Sequence, residues 1–96
     1  VIARIVAEKL VKISKGVQVI AISHLPQIVA YADNNLLISK YEKENGTYTA
    51  VEKLTQEKKI KEISRLIGSF SNTKTADEHS INVINQANEY KTKINN

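Results

Sequence analysis

One histidine in this chain stands where chemistry could be done. His24 follows directly on the run from Val17 to Ile22, which is short, nearly continuous in apolar residues and rich in β-branched ones. Bounded by Gly16 and Ser23, that run reads as a strand covered on both faces, as in a parallel sheet. Open α/β sheets bind ligands at the carboxyl ends of their strands, where loops and helix N-termini converge. Pro26 suits the first turn of a new helix, since its missing N–H costs nothing there. The free N–H groups of that helix start favour anions. An imidazole so placed can donate a hydrogen bond to a phosphate oxygen and respond to its loss. The same spacing also suits a histidine that caps a turn and touches only protein atoms.

The other polar and aromatic clusters carry less. His79 lies one turn into a helix beside Glu78, and a metal would want a second ligand at helical spacing. Asn82 and Val83 are poor ligands, so no metal site is expected. Tyr41 and Tyr48 flank a hairpin, where cross-strand packing accounts for them; stacking on nucleic-acid bases is the alternative use. Lys58, Lys59 and Lys61 cluster at the start of a helix. They read as a solvated face, with a phosphate-contacting patch as the alternative.

The elements that position these residues follow from periodicity. Ile2, Ile5, Val6, Leu10 and Ile13 recur at three and four, predicting a helix over 1–15 that stops at Gly16. After the strand over 17–22, Ile28, Val29 and Ala32 continue a short helix from Pro26 to about Asp33. Strands over 36–41 and 47–54 flank Asn45-Gly46, a strong hairpin signal. Neither hairpin face is purely apolar, which predicts an edge hairpin open to water on one side. Thr55 caps a helix with Ile60, Ile63 and Ile67 inside, Leu66 alongside, and Gly68 at its end. Ser69 to Lys74 reads as a polar linker around Phe70. Thr75 and Glu78 have capping-box spacing for a last helix that buries Ala76, Val83, Ala87 and Tyr90 and frays from about Lys91.

Composition bounds the rest. The 96 residues suit one domain, 42% are apolar, and there is no Cys. No apolar run approaches the roughly 18 residues that a membrane span needs. The net charge is +4, and 12 of the 14 basic residues are Lys. Contact with nucleic acid through phosphate attraction is therefore open, beside a plain solvated surface. The chain holds no Met and begins helix-patterned, which suggests an origin inside a longer protein.

Ile22-Ser23-His24-Leu25-Pro26-Gln27 resembles the segment of RecN proteins that carries the switch histidine, the H-loop of ATP-binding-cassette-type heads. The likeness continues in order through Ala7-Glu8-Lys9-Leu10, Ala30-Tyr31-Ala32-Asp33, the hairpin, Glu62-Ile63-Ser64-Arg65-Leu66-Ile67-Gly68 and Thr75-Ala76-Asp77-Glu78-His79. It implies an α/β fold over 1–96: the C-terminal fragment of a P-loop head of the SMC-like kind, with one parallel strand, an antiparallel hairpin and flanking helices. His24 would contact the γ-phosphate of ATP and help arrange the attacking water. Ser23 would shape the turn, and Gln27 would lie close by at the cofactor. ATP and magnesium would be held mainly by other segments.

Gly16, Gly46 and Gly68 are isolated, so no phosphate-cradling loop is present. No strand ends in paired acids to hold magnesium, and there is no Ser-Gly-Gly signature loop. The resemblance places these parts upstream, across a coiled coil. The expected partners are the rest of the head, a second head in an ATP-sandwich homodimer, and DNA; no membrane is expected. The longer protein would be a cytoplasmic, nucleoid-associated ATPase of double-strand break repair and recombination, and this segment alone would be inactive. The alternative class is a small non-catalytic basic module that binds nucleic acid or a partner protein. A closed fold pairing 17–22 on both sides within the chain would mark that module. A cassette-type head of a transporter is a further reading, which the hairpin and last helix fit less well.

Overall fold

The structure, a computed structural model, describes residues 2–68 and 73–95. Six elements follow in chain order: α1 (Ile2–Ile13), α2 (Pro26–Tyr31), β1 (Leu36–Lys43), β2 (Gly46–Lys53), α3 (Gln56–Ile67) and α4 (Thr73–Asn95).

Helix α4 is the spine against which α1, α2 and α3 all pack. The core is small: Ala7 from α1, Ala30 and Tyr31 from α2, Ile63 from α3, and Val83, Ile84 and Ala87 from α4. Alanine at three of these seven places lets backbones approach closely and leaves little apolar volume. Val11, Ile28, Val29, Ile60, Ile67 and Tyr90 pack around the cluster. Tyr31 and Tyr90 meet at a tilt, with ring centroids 6.0 Å apart.

Helix α3 forms as its sequence predicts. Thr55 Oγ1 accepts from the Lys58 N–H at 3.2 Å, and Gly68 closes the helix in the left-handed region at φ 72°. Its register against α4 is fixed by polar groups as well. Ser64 Oγ lies 2.8 Å from Ser80 Oγ and 2.7 Å from Asp77 Oδ1, and Lys61 Nζ lies 2.6 Å from Asp77 Oδ2. The Asp77 carboxyl is held below the usual carboxylate range by its hydrogen bonds from Lys61 and then Ser64. Helix α4 starts at Thr73, so Thr75 lies inside the helix rather than at its cap, and it runs on past Lys91 to Asn95. The reading of Phe70 as the centre of a linker falls outside the described residues.

The hairpin joins β1 and β2 in antiparallel register from Leu36↔Lys53 to Lys43↔Gly46. Gly46 takes φ 133°, which favours glycine there. The hairpin is tied to the helices at its base, by Leu54 N–H to the Asn35 carbonyl at 2.9 Å and by Lys58 Nζ to Glu52 at 2.8 Å. Beyond that it stands off from them. The 14.9 Å radius of gyration exceeds the roughly 13 Å of a packed domain this size accordingly. Tyr41 and Tyr48 are register partners and stack at 5.7 Å, and Lys43 Nζ lies 5.5 and 5.8 Å from their ring centroids. Both hairpin faces are open to water, not one.

Two expectations need correction. The run 17–22 is not a strand: residues 18–25 have no regular secondary structure, and the sheet contains β1 and β2 alone among the described residues. The fold therefore lacks the parallel strand, and the closed module that would pair 17–22 within the chain is not formed. A strand exists through the hydrogen bonds of its neighbours, and nothing described here supplies them. Ile20 and Ile22 stand 82% and 95% exposed. The stripe on α1 is the second correction. Ile2, Ile5, Val6 and Ile13 face solvent, while Ala7 is buried and Val11 packs on the core. The helix carries two apolar stripes, and the one with small residues wins the close contact with α2 and α4.

Candidate functional site

His24 sits in the turn that leads into α2. Ser23 Oγ accepts from the Leu25 N–H at 3.0 Å and tightens that turn. Leu25 is extended, and its carbonyl accepts the first helical bond from the Val29 N–H at 3.1 Å. Pro26 occupies the first helical turn, where its ring sets φ and its missing N–H is not needed. The His24 residue is exposed, and it has no hydrogen-bond or ion-pair partner among the described residues.

Gln27, one residue into α2, is half-buried, and its Oε1 is buried without a hydrogen-bond partner. An acceptor left so costs about 1–3 kcal/mol. Ser23, His24 and Gln27 thus fall within five consecutive residues of one turn and helix start. The structure holds no sheet edge beside them, because 17–22 is unpaired.

The far end of α2 is held by charge. Lys59 Nζ donates to the Ala32 carbonyl at 2.9 Å, Asn35 Nδ2 donates to the Val29 carbonyl at 3.0 Å, and Lys91 Nζ pairs with Asp33 Oδ1 at 3.0 Å. Burial lowers the Lys59 ammonium to about 8, with the nearby Lys91 charge adding to the shift and Asp33 opposing it. Tyr31 beside it is raised, by burial first and by Glu8 second. The Lys58–Lys61 run is consequently not one solvated face. Lys59 is buried, Lys58 pairs with Glu52, and Lys61 pairs with Asp77. Reading lysines by type missed this. The signal that finds Lys59 is its spacing, four before Ile63 and eight before Ile67, on the inner stripe of α3.

Would these residues suit a nucleotide? The exposed imidazole has the chemistry for one phosphate contact, whereas the Gln27 Oε1 is buried. The described residues offer no glycine-rich cradle and no group of three His, Cys, Asp or Glu that could hold a metal ion. His79 is exposed and belongs to no such group. No helix among the described residues is long and apolar enough to cross a membrane.

No family model matches the chain. Curated proteins named DNA repair protein RecN do match it. That of Bacillus subtilis is 40% identical over 91 residues, covering 95% of this chain and 16% of the relative. That of Halalkalibacterium halodurans is 41% identical over 90 residues, covering 94% and 16%. That of Vibrio cholerae is 34% identical over 73 residues, covering 76% and 13%. The chain thus spans no more than 16% of the length of these relatives.

Proposed function

Because this chain belongs to the RecN family, we propose that it is part of an ATP-binding and ATP-hydrolysing head in a longer DNA repair protein. It supplies the histidine that faces the terminal phosphate. The observation that carries the reading is the state of His24: exposed, unpartnered among the described residues, and set on a tight turn running straight into α2.

The chain's own part in the reaction is limited and specific. His24 donates an imidazole N–H to a phosphate oxygen and orients water beside it, rather than acting as the sole base. Ser23 holds the turn in shape by binding the Leu25 N–H. Gln27 stands at the start of α2 beside this turn, and its buried Oε1 is an acceptor still open to a hydrogen bond. Bound ATP and magnesium would supply the triphosphate and its charge neutralisation, held by segments outside this chain.

The exposed apolar groups agree with that division. Ile2, Ile5, Val6 and Ile13 on α1, together with Val17, Ile20 and Ile22, are open to water in this chain. Contact with the remainder of the head would cover them and give 17–22 its neighbouring strands. Pairing with a second head, and association with DNA in break repair and recombination, belong to the longer protein in this reading. The alternative of a basic binding module is disfavoured by the ion pairs that occupy Lys58, Lys61 and Lys91.

The isolated 96-residue chain is expected to show no ATPase above background and no ATP binding tighter than about millimolar. A single phosphate contact is worth only about 1.5–3 kcal/mol, against roughly 8 kcal/mol for a micromolar complex. Calorimetry with ATP and magnesium checks this. Micromolar affinity with turnover would place the nucleotide site within the chain and overturn the division of labour.

A further inference from the structure

We propose that Lys59, assisted by Asp33 and Lys91, clamps the carbonyl end of α2 and thereby sets the position of the turn that carries His24. Lys59 is in this sense a positioning residue. Its purpose rests on the nucleotide reading above, while its existence does not.

Helix α2 has six residues, too few to be stable by itself. Its inner side is fixed by Ala30 and Tyr31 in the core. Its last turn is fixed by side chains from three other places. Lys59 of α3 reaches the Ala32 carbonyl, Asn35 reaches the Val29 carbonyl, and Lys91 of α4 reaches Asp33. Two cations from different helices thus converge where the dipole of α2 is negative, which is the favourable end for them. The unit they hold is short, and its backbone hydrogen bonds link Ala32 through Val29 to Leu25, the residue after His24.

Packing alone does not explain a lysine at this place. The residue is only 8% exposed, and among the described residues its ammonium donates to a neutral carbonyl. Charged side chains are seldom buried so deeply without an ion partner in contact. A well-packed apolar side chain of similar volume is often as stabilising as a buried charge, or more so. What the ammonium adds is direction: a bond to one carbonyl at the end of one helix.

The groups facing Lys59 are Asp33, from the segment after α2, and Lys91, from α4. Burial and Lys91 bring the ammonium down to about 8. The clamp is therefore charged at neutral pH and loses its charge within reach of mild alkali. The sign for stability follows. The unfolded chain keeps the proton up to about 10.4, so the folded state bears the cost of burying the charge below about 8 and is relieved of it as pH rises from there.

The test is nuclear magnetic resonance of the backbone amides of Leu25 and of residues 27–30, between pH 7 and 9.5. It is run on the 96-residue chain and on its Lys59→Met and Lys59→Arg forms. A His24→Asn background takes the ring beside these amides out of the readout. The unmodified lysine is expected to give a shared titration of these amides with its midpoint near 8. Lys59→Arg stays charged throughout and is expected to keep the fold and lose the titration; Lys59→Met is expected to lose it too. Ile63 methyl signals report that the fold is retained. No titration near 8, or one that survives in Lys59→Arg, would overturn the clamp. If the clamp titrates as described but His24→Ala leaves turnover in the longer protein unchanged, the nucleotide reading fails and the clamp stands.

Discussion

Replacing His24 with alanine in a full-length RecN protein carrying this segment is expected to cut ATP turnover about 100-fold, with ATP affinity changed by less than about fivefold. The asymmetry follows from where the imidazole acts. It makes one contact with a phosphate held mainly by other segments, so its loss removes little ground-state binding. Charge on the phosphate and the attacking water redistributes only as the reaction proceeds, and a contact that strengthens then affects the rate and not the affinity. Steady-state turnover and equilibrium nucleotide binding, measured on the same preparation, separate the two. Unchanged hydrolysis would leave His24 a structural residue. Equal loss of binding and turnover would make it part of the cradle instead.

The largest effect expected on folding comes from Ile63→Ala. Ile63 has no exposure and sits in α3 where α3 meets both α2 and α4. Truncating a buried isoleucine costs about 2–5 kcal/mol, because the cavity closes only in part. A domain of this size has roughly 5–15 kcal/mol to lose, and each kcal/mol is worth about 4–8 °C in melting temperature. A drop of at least about 8 °C is therefore expected in thermal unfolding followed by circular dichroism. Ile22→Ala is the control. At 95% exposure that side chain is expected to contribute within about 0.5 kcal/mol in this chain. A smaller loss for Ile63→Ala than for Ile22→Ala would mean that the core lies elsewhere.

How far the sequence could be read depended on whether a segment's partners lie nearby in the chain. Helix α3 was legible in detail, since a Thr cap, an isoleucine stripe and a terminal glycine are all local signals. The hairpin was legible for the same reason, since its ladder joins two neighbouring strands, but its turn falls on Glu44-Asn45, with Gly46 opening β2. The run 17–22 was legible as a segment that wants a sheet, but the sheet needs hydrogen bonds that the described residues do not offer. Helix α1 misled because it has two apolar stripes. The larger side chains of Ile2, Ile5 and Val6 pointed to the stripe that faces water, whereas Ala7 marks the one that packs. Of the candidate site, the turn of Ser23 and His24 and the start of α2 at Pro26 were legible. The Lys59 anchor at the other end was not, because its meaning lies in a carbonyl 27 residues earlier in the chain.

The most direct measurement of the central claim is the imidazole nitrogen resonance of His24 in a full-length RecN protein carrying this segment, selectively labelled with nitrogen-15. It is recorded without nucleotide, with ADP, and with a non-hydrolysable ATP analogue. A hydrogen bond from the ring to the terminal phosphate requires the resonance to move with the triphosphate and to return toward its free position with the diphosphate. A ring that gives one unchanged resonance in all three states would show that no phosphate comes within its reach.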